Sequence, residues 1–309
     1  RIDRQLNLPE TKRKNNSIKT RGLCKKMEPL RLQPLGSIEN PDKTQLFFSP
    51  IVGWNNYDKV MIGLTFYNAF IPQKTFEYAI APMYSFETNE PIGGGFMNYN
   101  FLPKSNLFRQ ISVGLSGQRY HTAVSSLPDN HDSFWKLSPK IDFFMKKKKA
   151  RSTISHLISL SSSIINETSY VPDYNVGIIY SPKISSLKAY NKVIYSLENN
   201  KTLNPFEIYA VGEFTNDFAK ISAEANFQVD FKKDGKEVKV RLFGGSFLFN
   251  QTNNARYNYR MDGIRGYNDY TYDHAYFGRN ESKNLLSQQF AMGYGGFKIP
   301  TAVGQSNKW

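Results

Sequence analysis

The side chains of this chain that could do chemistry are few and scattered. Its four histidines, His121, His131, His156 and His274, form no H-E-x-x-H pair. None stands at metal-ligand spacing from another histidine or from Cys24, the single cysteine. One cysteine also excludes an internal disulfide framework. There is no G-x-S-x-G elbow and no P-loop, and Gly93-Gly94-Gly95 precedes a strand pattern instead of opening a helix, which argues against a phosphate cradle. The expected inventory of catalytic, metal and cofactor-binding residues is therefore empty. His156 sits on an apolar strand face and reads as a packing or interface histidine. The informative stretch is 256–297, with Arg256-Tyr257-Asn258-Tyr259-Arg260 followed by Gly263 to Asp273, too long and too aromatic for a simple hairpin. It has two readings. One is an exposed, ordered outer loop; the other is a plug, with Arg265, Gly266 and Tyr267 turned into a polar interior. There a guanidinium could make bidentate contacts with Glu213, Glu224 or Asp230.

Strands must position that loop. From about Pro29 the sequence alternates with period two, and no useful helical periodicity appears. Val60, Ile62, Leu64 and Phe66 share one face, and Phe76, Tyr78, Ile80, Tyr84 and Phe86 another, with a bulge expected at Pro82. The clearest segment is 220–232, where Ile221, Ala223, Ala225, Phe227, Val229 and Phe231 oppose Lys220, Ser222, Glu224, Asn226, Gln228 and Asp230. Asp234-Gly235 then supplies a hairpin turn into Val238, Val240 and Leu242. Many segments alternate over ten residues or more. Soluble strands average about five or six residues, whereas tilted membrane strands need about 9–11.

Composition agrees with that distinction. Aromatic residues make up 15% of the 309 residues, and membrane barrels need aromatic girdles. Mean hydropathy is −0.51, as expected where only alternate residues meet lipid. The expected fold is an all-β, antiparallel transmembrane barrel. About 12 strands are expected here, one of them near 285–297, with the last strands missing and a full barrel of 14–16. A soluble sandwich would also alternate, with its apolar face turned inward. Residues 1–28 read as a basic linker or arm and 29–309 as the barrel, incomplete at its C-terminus. Short connections at Asn55–Asp58, Pro103–Asn106 and Asp234-Gly235 should alternate with longer ones at 119–133, 164–176 and 250–274. The net charge of +14 is concentrated near the start of the chain and at Lys146–Lys149 with Arg151. Such runs read as solvated linkers and turns, and neither zinc-finger spacing nor an RNA-binding sheet motif supports a nucleic-acid partner.

Two resemblances extend this reading. Ile264-Arg265-Gly266-Tyr267 is similar to the loop signature of the Omp85 family of outer-membrane insertases and translocators, whose arginine sits inside the barrel lumen. More broadly, the chain resembles the barrel region that follows an M1-type zinc aminopeptidase domain in proteins of Bacteroidetes. The carrying segments are Asp42–Pro50, Gly53–Asp58, Phe76–Tyr84, Tyr276–Arg279 and Ser287–Phe290. The resemblance implies a Gram-negative outer-membrane location, lipid as a partner, and a tethered peptidase domain upstream. Any zinc would belong to that domain, so no catalytic or zinc-binding residue is carried over to this chain. It also implies further strands after Trp309.

Overall fold

A computed structural model describes residues 30–36, 44–68, 74–123, 131–170, 183–231, 235–252, 254–261, 269–273 and 304–308. The strongest alternation in the sequence becomes the strand β11 (Phe218–Asp230), hairpinned to β12 (Glu237–Asn250). Gly235 in the turn has φ +74°, a conformation that a Cβ disfavours. Preceding them are β1 (Leu30–Pro34), β2 (Thr44–Asn55), β3 (Lys59–Tyr67), β4 (Phe76–Ser85) and β5 (Pro91–Phe101). Next come β6 (Phe108–Ala123), β7 (Asp132–Met145), β8 (Ile154–Tyr170), β9 (Lys183–Asn199) and β10 (Phe206–Phe214). All twelve form one sheet in chain order. Every pairing is antiparallel except that of β1 with β2, which is parallel and short. No α-helix occurs among the described residues. A two-residue pair, β13 (Tyr259–Arg260) with β14 (Gln305–Ser306), stands apart from the sheet.

Cross-strand register fixes the two faces. Phe76, Tyr99, Val113, Ile141, Leu160, Val193, Gly212 and Ile221 are successive partners in one row across β4 to β11. This face is bare: Phe76, Tyr99, Val113, Leu160, Val193 and Ile221 are each 39% to 47% exposed. On the opposite face Lys192, Glu213, Lys220 and Phe247 are successive partners, and there Glu213 and Lys220 are only 7% and 4% exposed. Along these rows the apolar side of the sheet is exposed and the polar side is covered. A soluble sandwich has the reverse arrangement.

Because the strands form a meander, their connections gather at two ends. We call lower the end with the β3–β4, β5–β6, β7–β8, β9–β10 and β11–β12 connections, and upper the opposite end. The row just described starts at the lower tip of β4 and reaches β11 at the fourth residue from its upper tip, so the strands are progressively staggered.

Several expectations are corrected. Pro82 makes no bulge: the β3–β4 register is unchanged on either side of it, and the ladder lapses at Ala81 and Pro82. Proline offers no N–H to the ladder, and Gly63 lets the Pro82 carbonyl approach instead, since a Cβ there would lie 2.1 Å from that oxygen. The long connections expected at 119–133 and 164–176 are in part strand, because β6 runs through Ala123, β7 starts at Asp132 and β8 runs through Tyr170. Short and long connections do not sort by end either. The Asn55–Asp58 turn shares the upper end with the longer loops, while Pro103–Asn106, Lys146–Lys149 and Gly235 lie at the lower one. The arm 1–28 and the strand expected near 285–297 lie outside the described residues.

Candidate functional site

The covered face owes its cover to the segment after β12. Asn254 caps a 3-10 turn, Ala255–Tyr257, by accepting from the Arg256 amide, and β13 follows. The chain touches the same face again at 269–273. Aromatic side chains do most of the packing. Tyr257, Tyr259, Tyr270 and Tyr272 are buried, and with Phe134, Ile165, Tyr190 and Phe218 all but Tyr259 make one apolar cluster. Tyr272 stacks on Phe134 at 3.8 Å with a 17° interplanar angle, and Tyr257 meets Phe218 at 4.8 Å. The Tyr259 hydroxyl donates to the Ile221 carbonyl at 2.8 Å. The close approach of Tyr259 to β12 depends on Gly245, where a Cβ would sit 2.6 Å from the ring. Gly245→Ala is therefore expected to displace Tyr259 and cost about 1–3 kcal/mol, as overpacking does. The check is faster proteolysis in 254–261 with the β-sheet circular dichroism unchanged.

Polar contacts fix the same segment from strand to strand. Gln118 of β6 donates to the Tyr272 carbonyl at 2.7 Å. Lys136 of β7 pairs with Asp273, which Lys192 of β9 approaches at 3.7 Å. Glu167 of β8 takes Arg256 at 2.7 Å and the Tyr272 hydroxyl. Glu213 of β10 accepts from the Tyr270 hydroxyl. Burial opposes the charge on Arg256, but Glu167 more than offsets it and holds the guanidinium pKa above its ordinary value. Burial likewise pushes the Asp273 carboxyl up, and Lys136 and Lys192 together hold it below the usual carboxylate range. A depressed carboxyl stabilises the contact above its unfolded value, so this contact is lost only as pH falls below that range.

Lys220 of β11 is the centre of the assembly. Its Nζ lies 4.9 to 5.9 Å from the ring centroids of Tyr270, Tyr259, Phe218 and Phe247, and donates to the Tyr257 carbonyl at 3.4 Å. The buried ammonium lies over each of these rings, whose faces are negative, which is the cation–π arrangement. Two of the four rings come from the covering segment and two from the sheet.

The residues expected to form the plug are placed as follows. Arg265, Gly266 and Tyr267 lie outside the described residues. Glu213 meets the covering segment through Tyr270. Glu224 is taken by Arg241 of β12 in two bonds of 2.8 and 2.7 Å. Asp230 sits at the lower end, accepting from Gln228 and the Asn204 amide. Sequence reasoning missed Arg256 as the cation that meets a carboxylate, and it missed Lys220. The Arg256–Tyr259 sequence was visible, but no local pattern could name Glu167, 89 positions earlier, as the partner.

A second buried polar cluster joins three elements at the upper end. Asp58, fully buried in the β2–β3 turn, accepts from Asn55 Nδ2 at 2.9 Å and from the His121 amide at 3.2 Å. His121 Nδ1 lies 2.5 Å from its Oδ1, and His121 Nε2 lies 3.6 Å from Glu90 Oε2 in the β4–β5 turn. Ser85 donates to the Asp58 carbonyl at 2.9 Å. An Asp–His pair invites an acid–base interpretation. Here the hydroxyls of Ser85 and Thr88 are directed to Asp58, and neither reaches His121 Nε2 as a nucleophile would. The cluster is a clasp. His156, on the outer face, packs against Tyr195 with Nδ1 2.9 Å from the hydroxyl. Among the described residues no group of three or more His, Cys, Asp or Glu is arranged to hold a metal ion.

No protein-family model, curated protein or solved structure matches the chain.

Proposed function

We propose that the chain is a β-barrel of a Gram-negative outer membrane, with the aromatic stretches 254–261 and 269–273 seated in its interior, and that it anchors or displays a separate M1-type metallopeptidase domain. The observation that carries the membrane reading is the distribution of exposed apolar side chains. One strand illustrates it: on β4 and the turn after it, Phe76, Ile80, Tyr84 and Phe86 are exposed, so aromatic residues flank an aliphatic middle. From Phe76 to Tyr84 is roughly 26 Å along a strand, or about 20 Å of height at a tilt of roughly 40°, most of the apolar band about 25 Å tall between aromatic girdles in such barrels. Phe101 and Phe231 at the lower end, and Trp135, Phe214 and Phe249 toward the upper end, repeat the pattern. Staggered register and twelve consecutive strands favour curling and closure over a flat sheet. An inner face touched by one segment at seven consecutive strands favours a filled interior. Lipid is the partner and nucleic acid is not; zinc would sit in the peptidase domain.

The anchoring role rests on the resemblance of segments such as Asp42–Pro50 to barrel regions of M1-type proteins. The placement of Arg256 and its tyrosines against the inner wall favours a second reading, an insertase or translocation barrel of the Omp85 type. A structural barrel without attached activity is the third. The coding sequence upstream of Arg1 separates them: an H-E-x-x-H helix supports the first, tandem POTRA repeats the second, and a bare signal peptide the third. The membrane reading has its own test. The protein is expected to need detergent for extraction and to migrate differently on gels before and after boiling. Release into buffer without detergent would overturn it.

A further inference from the structure

The turns at the two ends of the sheet differ in charge. At the lower end every connection contributes at least one cation: Lys74, Lys104, the Lys146–Lys149 run with Arg151, Lys201 and Lys236. By sequence those connections hold eleven Lys or Arg against one acid, Asp234, with Asp230 and Glu237 at the adjoining strand tips. At the upper end the turns 56–58, 86–90 and 215–217 hold Asp58, Glu87, Glu90 and Asp217 and no Lys or Arg. In the sequence this looked like one Lys run in one turn; the meander collects charges from five separate turns onto one lip.

The lower cations stand beside apolar surface. Phe76, Phe101, Phe231, Leu102, Leu107 and Leu203 are all exposed at that end. Arg109, at the start of β6, lays its guanidinium 5.8 Å from the Phe144 ring. Except for Lys74, which is partly covered, the cations of these turns are exposed. Long cationic side chains whose stems cover apolar surface and whose heads reach water suit a membrane interface.

We propose that this lip is a docking collar for the phosphate groups of anionic phospholipids in the leaflet at the lower end. The proposal rests on the membrane reading above and adds a lipid class and a side to it. Each Lys or Arg near an anionic surface gains favourable energy that salt screens away, so a collar of this size should select its lipids without any closed pocket.

The test uses the full chain refolded into phosphatidylcholine vesicles, with and without about one-fifth phosphatidylglycerol. Protease protection reports insertion, and lipid retained after detergent extraction reports docking. Wild-type protein should retain phosphatidylglycerol over phosphatidylcholine by about tenfold at low salt, and lose that preference at high salt. Changing Lys146–Lys149 and Arg151 together to Gln should abolish most of the preference while leaving insertion intact, which boiling-dependent gel mobility confirms. An equal preference in wild type and variant, or none in either, overturns the collar and leaves the membrane reading standing. Failure to insert into either vesicle overturns both. Displacement of the retained lipid by a single-stranded oligonucleotide at equal phosphate concentration makes the lip a nucleic-acid surface and overturns the lipid assignment.

Discussion

His121→Ala is expected to destabilise the folded chain by about 3 kcal/mol, because removing one partner of a buried charged or hydrogen-bonded pair costs about 3–5 kcal/mol. Asp58 has no exposed surface, and water cannot replace the imidazole without opening the upper end. The carboxylate would keep Asn55 and the residue-121 amide as donors but lose its closest one, the ring nitrogen at 2.5 Å. Glu90 would lose its neighbour at 3.6 Å as well, although Arg119 still pairs with it. Asp58→Asn should cost less, since an amide fills the space and offers one acceptor. The measurement is the urea midpoint of refolding into micelles, with hydrogen exchange read at 55–58 and 86–90. Both segments should exchange faster in the His121 variant, while protection in 254–261 stays unchanged because that segment makes none of these contacts. An unchanged midpoint would mean the clasp contributes nothing to stability.

That clasp marks where the sequence stops being legible. Strand β11 could be read residue by residue, because alternation with apolar Ile221, Phe227 and Val229 on one side is a local signal of period two. His121 and Asp58 are 63 positions apart, and nothing local connects them. Their surroundings also misled. The stretch 119–133 looks like loop because it is polar, yet Arg119 and His121 stand in β6 and Asp132 and Ser133 in β7, and polarity is the usual sign of a turn. The same inversion explains the length of β8, where Ser159, Ser161 and Ser163 line the covered side and Glu167 binds the loop. Parallel β1 was invisible for another reason. Five residues are too few for a pattern, and parallel pairing depends on where the chain returns. In the covering segment, the aromatic content signalled packing against the interior, but charge alone pointed to Arg265. Arg265 lies outside the described residues, and the described contacts hang on tyrosines, on Arg256 and on Lys220 in the wall.

Lys220 gives the sharpest test of that packing. Lys220→Met keeps a long apolar side chain of similar reach, so the space between Phe218, Phe247, Tyr259 and Tyr270 stays filled. What it removes is the positive charge and the bond to the Tyr257 carbonyl. A desolvated cation–π contact is worth about 2 kcal/mol or more, and at about 1.4 kcal/mol per factor of ten that loss opens the segment roughly thirtyfold more often. Limited proteolysis should therefore cut 254–261 about thirtyfold faster, since cleavage follows the open population when closing is fast. Lys220→Arg, which also interacts with aromatic faces, should recover part of the protection. The sheet itself should survive either change, because the β10–β11 and β11–β12 ladders use backbone groups. Under the proposed barrel reading, the Met variant in a planar bilayer should also show more frequent conductance openings than wild type, because release of the segment would uncover the polar wall of Lys136, Glu167, Lys192 and Glu213. Equal cleavage rates in Met variant and wild type would mean that apolar packing alone holds the segment. A faster cut with unchanged conductance would place the segment on the inner face without filling it.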